Sequence, residues 1–135
     1  MSFYFSKSEW DHYSELYFAG ANTQEMLEYF EKVAAFCTDT NLKVTAHLRV
    51  ACLQFDRGLP SAAKLGYLLV IEYRDNYAVD RKVIGTACNN LAYMYRYGIG
   101  VDAWRERAVE LYRMGIKYAD NQRCKNALRE MGETY

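Results

Sequence analysis

The stretch from Cys88 to Tyr118 places the strongest constraint on what this chain can fold into. Each of its halves carries small and large apolar residues at helical spacing. These residues are Leu91, Ala92, Tyr95 and Gly98 in the first half, and Ala108, Leu111, Tyr112 and Gly115 in the second. A turn with two glycines, Gly98-Ile99-Gly100-Val101-Asp102, joins the halves. Because small residues beside aromatic ones let two helices nest closely, the stretch predicts an antiparallel helical hairpin.

Two looser copies of this pattern come earlier in the chain and predict a helical repeat protein. Gly20, Gly58 and Gly98 each follow an aromatic residue by three positions, and they recur about every 40 residues. No segment shows the sustained alternation of a β-strand. We therefore expect an all-α fold of about seven helices, a short α-solenoid with a single domain over residues 1–135. Its hairpins cover roughly residues 6–38, 41–76 and 80–118, followed by a capping helix at roughly 120–132.

Capping residues predict where the helices begin and end. Ser6 with Glu9 matches a capping box, and Gly20 is a typical residue just after a helix. Pro60 suits the first turn of a fourth helix. We expect the third helix to run from about Leu42 to Arg57. The remaining predicted caps are Asn22, Asp80, Asp102 and Asp120, for the second, fifth, sixth and seventh helices.

The charge balance argues against a dedicated nucleic-acid or membrane-surface binder. The chain has 17 basic and 17 acidic residues, so its formal net charge is zero. The charges are unevenly distributed, because residues 1–40 carry a net charge of about −5 and residues 81–135 about +4. Such polarity can steer a charged partner. The 13 tyrosines are numerous for this length, and tyrosine is favoured both in cores and at protein interfaces.

The sequence predicts a cytoplasmic protein with reduced thiols. No apolar run approaches the roughly 20 residues that span a bilayer, and the first residues lack the pattern of a signal peptide. The four cysteines are widely spaced on predicted apolar helix faces, with no CxxC or Cys/His cluster. They are Cys37, Cys52, Cys88 and Cys124. We therefore expect neither disulfide bonds nor a metal site, and no membrane association.

The third hairpin resembles the Sel1-like repeat family, a relative of the tetratricopeptide repeats. The matching residues are Ala87, Leu91, Ala92, Tyr95, Gly98, Gly100, Val101, Asp102, Ala108, Leu111 and Tyr112. Ala92 replaces the usual glycine, Gly115 lies near a usual alanine, and the first two copies lack the G-x-G-V loop. The resemblance covers about thirty residues closely. It implies a right-handed superhelix of helix pairs whose concave face binds proteins.

The histidines and glycines of this sequence lack the spacing of known catalytic and phosphate-binding motifs. His12 and His47 lie on different predicted helices, without the spacing of a metalloprotease motif. The glycines at 98 and 100 follow a helix, whereas a phosphate loop follows a strand. These observations argue against an enzyme, a cofactor and a small-molecule substrate. Basic residues late in the chain, interleaved with Tyr112 and Tyr118, leave an RNA-binding regulator as an alternative, although acidic residues interrupt them.

The resemblance implies that the first helix of each hairpin lines a groove for a partner protein. Its candidate residues are Asp11 and Glu15 in the first copy, Arg49, Leu53, Asp56 and Arg57 in the second, and Asn89, Tyr93, Arg96 and Tyr97 in the third. A helix cannot bury Tyr93, Tyr95 and Tyr97 on one face. With Tyr95 in the core by the repeat pattern, the other two tyrosines are left either for a partner or for cover by neighbouring helices.

These features predict a non-catalytic module that binds, and inhibits or neutralises, a specific partner protein. On the analogy of size and stand-alone form, a bacterial immunity protein that neutralises a toxin domain is the preferred version. It would form a tight stoichiometric complex. A chaperone or adaptor would bind an extended peptide more weakly, and an RNA-binding regulator would lose affinity steeply with salt.

Overall fold

The computed structural model describes residues 3–135, which form seven α-helices and no strand. The helices are α1 (Lys7–Phe18), α2 (Gln24–Phe36), α3 (Thr40–Asp56), α4 (Pro60–Glu72), α5 (Arg81–Tyr97), α6 (Arg105–Ala119) and α7 (Gln122–Glu130). The prediction of an all-α chain with seven helices is thereby confirmed. Among these helices, none combines the length and the apolar character that crossing a membrane requires.

Several helices begin where their capping residues predict. The side chain of Ser6 accepts a hydrogen bond from the backbone N–H of Glu9 at the start of α1. Pro60 is the first residue of α4, and the carboxylate of Asp80 caps α5 by accepting from the N–H of Lys82. These local contacts satisfy donors that the first turn of a helix otherwise leaves without partners.

The predicted starts of α2 and α3 are corrected by the structure. Thr23 rather than Asn22 caps α2, because its hydroxyl accepts from the N–H of Met26 at 3.1 Å. Asn22 instead donates to the backbone carbonyl of Leu53 near the end of α3. Asp39 caps α3, which therefore begins two residues earlier than expected, at Thr40.

The predicted caps of α6 and α7 are also wrong. Asp102 is exposed, and α6 begins at Arg105 after Trp104, which makes no side-chain capping bond. Asp120 ends α6 in the left-handed conformation, with φ of 48°. The side chain of Asn121 caps α7 in its place. Both errors have one reason: an aspartate near a helix start signals a cap, but the path of the preceding loop selects which residue reaches the N–H groups.

Helices that follow one another in the chain pack together, from α1 with α2 to α6 with α7. In addition, α3 contacts α5, and α5 contacts α7. The helices α3, α5 and α7 therefore lie side by side. This arrangement gives them a shared surface on which residues from different parts of the sequence meet.

Buried apolar side chains form two clusters, and α3 contributes to both. The N-terminal cluster joins α2 to one face of α3 through Ala46 and Leu53, and aromatic side chains of α1 pack on it. The C-terminal cluster joins the other face of α3, including Val44 and Leu48, to α4, α5, α6 and α7. The helix α3 is therefore the element that connects the two halves of the molecule.

Glycines allow close helix contacts in the C-terminal cluster. A Cβ atom on Gly115 would lie 2.5 Å from the Sγ of Cys124 and 3.2 Å from the Cβ of Cys88. A Cβ atom on Gly66 would lie 2.7 Å from the Cβ of Ala51. Because such distances are too short for packed carbon and sulfur atoms, a larger residue at either position would push two helices apart.

The two-glycine turn between α5 and α6 has a tertiary role. Gly98 adopts a left-handed conformation with φ of 66° where α5 ends. Gly100 has φ of 71°, and a Cβ on it would lie 2.6 Å from the Cβ of Pro60. The turn therefore rests against the start of α4, which explains physically why both positions are glycine.

A candidate protein-binding surface on α3, α5 and α7

Two adjacent clefts lie along the shared surface of α3, α5 and α7. The α3–α5 cleft has a volume of about 350 Å³ and is lined by Cys52, Phe55, Asp56, Tyr67, Asn89, Asn90 and Tyr93. The α5–α7 cleft has a volume of about 330 Å³ and is lined by Arg96, Tyr97, Arg105, Glu130 and Met131. We refer to the two together as the cleft surface.

Polar side chains form a connected set at the base of the α3–α5 cleft. The side-chain amide of Asn90 donates to the hydroxyl of Tyr67 at 3.4 Å and to the Sγ of Cys52 at 3.5 Å. The hydroxyl of Tyr67 donates to the same sulfur at 3.7 Å. The amide of Asn89 donates to the Oδ1 of Asn90 at 3.4 Å. These bonds fix the base of the cleft and use most of its side-chain donors internally.

The thiol of Cys52 is neutral in this environment. Burial raises its pKa above the ordinary value, and hydrogen bonds from its neighbours offset only part of that effect. Burial also raises the pKa of the Tyr67 hydroxyl. A nucleophilic cysteine needs a lowered pKa, so this thiol contributes shape and a weak hydrogen-bond acceptor instead of reactivity.

Asp56 is the charged residue of the α3–α5 cleft. It is the last residue of α3 and is exposed. Its carboxylate makes no ion pair or side-chain hydrogen bond with the residues that the structure describes. The guanidinium of the adjacent Arg57 instead donates to the side chains of Asn22 and Gln24, at 2.8 and 2.7 Å. The cleft therefore presents a negative charge at its edge.

The α5–α7 cleft has a balanced charge. Arg96 on α5 pairs with Glu130 on α7 at 3.1 Å, and Arg105 pairs with Glu133 at 3.2 Å. Arg105 also donates to the backbone carbonyl of Met131 at 2.6 Å. These contacts attach α7 and the residues after it to α5 and α6. The charged residues of this cleft therefore hold the C-terminal end of the chain in place.

Two tyrosines connect the clefts. Tyr93 lines the first cleft and Tyr97 the second, and their ring centroids are 4.7 Å apart. They are 45% and 53% exposed. The Cζ atom of Arg96 lies 5.0 Å from the centroid of the Tyr97 ring. Tyr95 instead packs against the C-terminal cluster, as the repeat pattern predicts. The surface of α5 between the clefts is therefore aromatic and accessible.

Five of the ten residues predicted to line a groove are in these clefts. They are Asp56, Asn89, Tyr93, Arg96 and Tyr97. The structure thus brings together residues of the second and third sequence copies on one surface. The predicted residues of the first copy lie elsewhere: Asp11 is exposed and pairs with Lys7 at 2.7 Å, and Glu15 is exposed on α1.

Two predicted residues of α3, and Arg57 directly after this helix, are occupied by contacts inside the protein, which corrects their assignment to an open groove. Leu53 is 2% exposed within the N-terminal cluster. Arg49 is 8% exposed, and its guanidinium donates to the hydroxyl of Ser14 at 2.6 Å. Arg57 is half-buried and bonded to the loop before α2. The physical reason is that α1 and its following loop cover this part of α3.

Arg49 lies among aromatic rings of α1 and α2. Its Cζ atom is 4.6 Å from the ring centroid of Trp10 and 5.3 Å from that of Phe30. The rings of Tyr17 and Phe18 lie at 5.2 and 5.1 Å. No carboxylate of the described residues pairs with this cation, and burial lowers the pKa of its guanidinium. Cation–π contacts therefore replace an ion pair at this position.

Seven cleft residues were not among the sequence candidates: Cys52, Phe55, Tyr67 and Asn90 in the α3–α5 cleft, and Arg105, Glu130 and Met131 in the α5–α7 cleft. Cys52 and Phe55 fit the apolar face of α3 and look like core residues. Asn90 carried a usable signal, because two adjacent asparagines in a helix interior are disfavoured by helix propensity and suggest another role. Tyr67 gave no signal, since its position on α4 resembles other core tyrosines.

The described residues contain no cluster of three or more His, Cys, Asp or Glu side chains arranged to hold a metal ion. The four cysteines are free thiols, and burial raises the pKa of Cys88 and Cys124 to about 12 each. Cys52 is the cysteine that lines a cleft. The cleft surface presents aromatic rings, amides, the thiol of Cys52 and the charged groups of Asp56, Arg96, Arg105 and Glu130.

Comparisons with protein-family models, with curated proteins and with solved structures give no match to this chain. The Sel1-like resemblance of the third hairpin thus stays a prediction that depends on its own residues.

Proposed function

We propose that this protein is a short α-solenoid that binds another protein on its cleft surface and has no catalytic activity. The observation that carries the proposal is the pair of accessible tyrosines, Tyr93 and Tyr97, on the helix between the two clefts. Tyrosine is enriched among the residues that dominate binding energy at protein interfaces. The side-by-side packing of α3, α5 and α7 supports the solenoid part of the proposal.

The cleft surface has the composition of an interface. It combines exposed aromatic rings with hydrogen-bonding amides and with charges of both signs at its edges. Its mixed charge favours a protein partner over RNA, whose phosphates select a continuous positive surface. The raised pKa of Cys52 supports a non-catalytic role, since a neutral thiol is a poor nucleophile.

The version we prefer is inhibition of a partner protein, as by an immunity protein that neutralises a toxin domain. Its support is an analogy of form, because stacked helical hairpins create the extended surfaces on which repeat proteins bind their partners. This version predicts a stable complex of fixed stoichiometry, whereas a chaperone or adaptor predicts weaker binding to an extended segment.

The test compares two double variants as baits in affinity capture from lysate of the source cells. Tyr93→Ala/Tyr97→Ala removes the exposed aromatic pair from the cleft surface. The matched control, Leu65→Ala/Tyr77→Ala, removes two side chains that are 69% and 91% exposed and line neither cleft. As a folding control, circular dichroism of both variants is compared with that of the wild type, and we expect the same helical content.

We expect one protein to co-elute at fixed stoichiometry with the wild type and the control, and to be lost from the cleft variant. Loss of two interface tyrosines should weaken binding at least about 100-fold. Equal capture by both variants contradicts the proposed surface. Recovery of RNA that is released by moderate salt contradicts the proposed class of partner.

A further inference from the structure

The α3–α5 cleft has more hydrogen-bond acceptors than donors available to a ligand. The amide of Asn90 already donates to Tyr67 and Cys52, the hydroxyl of Tyr67 donates to Cys52, and the amide of Asn89 donates to Asn90. The Oδ1 atom of Asn89 and the carboxylate of Asp56 make no such contact with described side chains. A ligand that donates hydrogen bonds is therefore complementary to this cleft.

The charge of the α3–α5 cleft favours a ligand that is a cation as well as a hydrogen-bond donor. Asp56 is the one formally charged residue among those that line it, and no cation of the described residues pairs with this carboxylate. Its position is also unfavourable for the helix, because a negative charge at the C-terminal end of α3 opposes the helix dipole. A residue that opposes its own helix in an accessible cleft is a candidate for a binding role.

Aromatic rings form the remaining lining. Phe55, Tyr67 and Tyr93 come from three different helices, and Tyr93 is 45% exposed. The face of such a ring attracts a cation, and a flat cation can also stack on it. The volume of about 350 Å³ lies at the small end of the range for ligand pockets and accommodates one long side chain.

We propose that the α3–α5 cleft binds an arginine side chain of the partner protein. The guanidinium would pair with the carboxylate of Asp56, donate to the Oδ1 of Asn89, and stack on the ring of Tyr93. Arginine suits the site better than lysine, because its planar group forms several directed hydrogen bonds and stacks on aromatic rings. This inference rests on the proposed protein-binding function and adds the chemistry of its anchoring residue.

The experiment uses three short peptides as probes of the full chain. Acetyl-Gly-Arg-Gly-amide carries the proposed group, and its citrulline analogue replaces the guanidinium by a neutral group of nearly the same shape. The lysine analogue keeps the charge without the planar fork. Each is titrated into ¹⁵N-labelled protein, and amide chemical shifts are followed. We expect saturable shifts at Cys52, Asp56, Asn89 and Tyr93, with affinity at least about tenfold weaker for citrulline and weaker for lysine.

Two protein variants separate the site from general electrostatics. Asp56→Asn removes the charge of the cleft, and because Asp56 is exposed at a helix end, the variant should fold. Asp75→Asn removes an exposed carboxylate in the loop between α4 and α5, which lines neither cleft. We expect the first variant to lose the arginine-dependent shifts and the second to keep them.

Equal binding of arginine and citrulline, equal binding of arginine and lysine, or shifts unaffected by Asp56→Asn would each overturn the inference. The same variants in the capture experiment distinguish its failure from that of the proposed function. A partner lost with Tyr93→Ala/Tyr97→Ala but retained with Asp56→Asn leaves the function standing and rejects the arginine anchor. Specific arginine shifts without any captured protein support the pocket and reject the proposed function.

Discussion

The N-terminal and C-terminal halves of this molecule are held together by different means. None of the residues of α1 (Lys7–Phe18) is fully buried, and the helix is attached by partly buried aromatic rings. Tyr13 stacks on Tyr29 with 4.3 Å between centroids, and Trp10 meets Phe30 edge to face at 5.7 Å. In contrast, α5 buries eight residues, and glycines bring the helices of the C-terminal cluster into close contact.

The difference extends to polar groups. The N-terminal half contains the cation of Arg49 without a carboxylate partner, and the buried hydroxyl of Tyr29 without a hydrogen-bond partner among the described residues. Both groups lose hydration on folding with incomplete compensation. We infer that the C-terminal half is tightly packed and intolerant of added volume, whereas the N-terminal half is adaptable and opens more easily.

The largest expected effect comes from added volume at Gly115. Gly115→Ala should lower the free energy of unfolding by about 2–3 kcal/mol, because the new Cβ would lie 2.5 Å from the Sγ of Cys124. Alanine normally favours a helix over glycine, so a loss of stability would reverse the intrinsic preference. Urea denaturation followed by circular dichroism measures the change.

A second substitution identifies the cause. Cys124→Ala removes the clashing sulfur, so the double variant Gly115→Ala/Cys124→Ala should be more stable than the two separate losses predict. Additive losses would indicate that the contact with Cys124 does not limit the site, and the contrast between the halves would lose its main support.

The next effect is a local one in the N-terminal half. Trp10→Ala removes the ring that contacts both Phe30 and Arg49, and should lower the free energy of opening of α1 by about 2 kcal/mol. Hydrogen exchange measured by NMR should show loss of protection in α1, with α5 and α6 unchanged. Uniform loss of protection along the chain would mean that the two halves unfold as one unit.

A smaller effect is expected at Arg49. Arg49→Met should change stability by less than about 1 kcal/mol, because it retains apolar contact with the rings and removes a desolvated charge that lacks an ion pair. Arg49→Ala is the matched variant, and its cavity should lower stability by about 2 kcal/mol. If Arg49→Met lowers the free energy of unfolding as much as Arg49→Ala does, cation–π attraction stabilises this half more than packing does.

The smallest effect is a pH dependence through α3, the helix that both halves share. Burial, and then the nearby Lys43, lower the pKa of His47 below its ordinary value of 6.5. The unfolded chain therefore takes up a proton first, and stability should fall as the pH drops through and below about 6.5. The thermal midpoint at pH 5.5 and 7.5 measures this. His47→Gln should reduce the difference, whereas the same change at the exposed His12 should preserve it.

The repetitive features of the fold are those that could be predicted from sequence. Helical spacing, glycine positions and Pro60 locate the helices, because these signals act over a few residues. The spacing around Tyr95 also predicts that its side chain packs against the core, and that Tyr93 and Tyr97 lie on other faces of the helix, where their rings are exposed. These are properties of a single helix, and one sequence is enough to deduce them.

The parts that could not be predicted depend on contacts between distant segments. Arg49 fits a groove position on α3, but α1 covers it with Trp10 and Ser14. The base of the α3–α5 cleft joins Cys52 to Asn90, which are 38 positions apart. No local pattern shows which side chains meet across helices, so the cleft became visible only with the fold.

The packing of each helix on its neighbours in the chain also influences how quickly the protein folds. Most contacts join segments close in sequence, so little loop-closure entropy is lost before contacts form. Folding should therefore occur in microseconds to milliseconds, as in other helical proteins with local contacts. Because α5 and α6 pack against each other more extensively than any other pair of helices, we expect this hairpin to form first, and α1 to dock after α2 and α3 have presented the rings and the guanidinium that receive it.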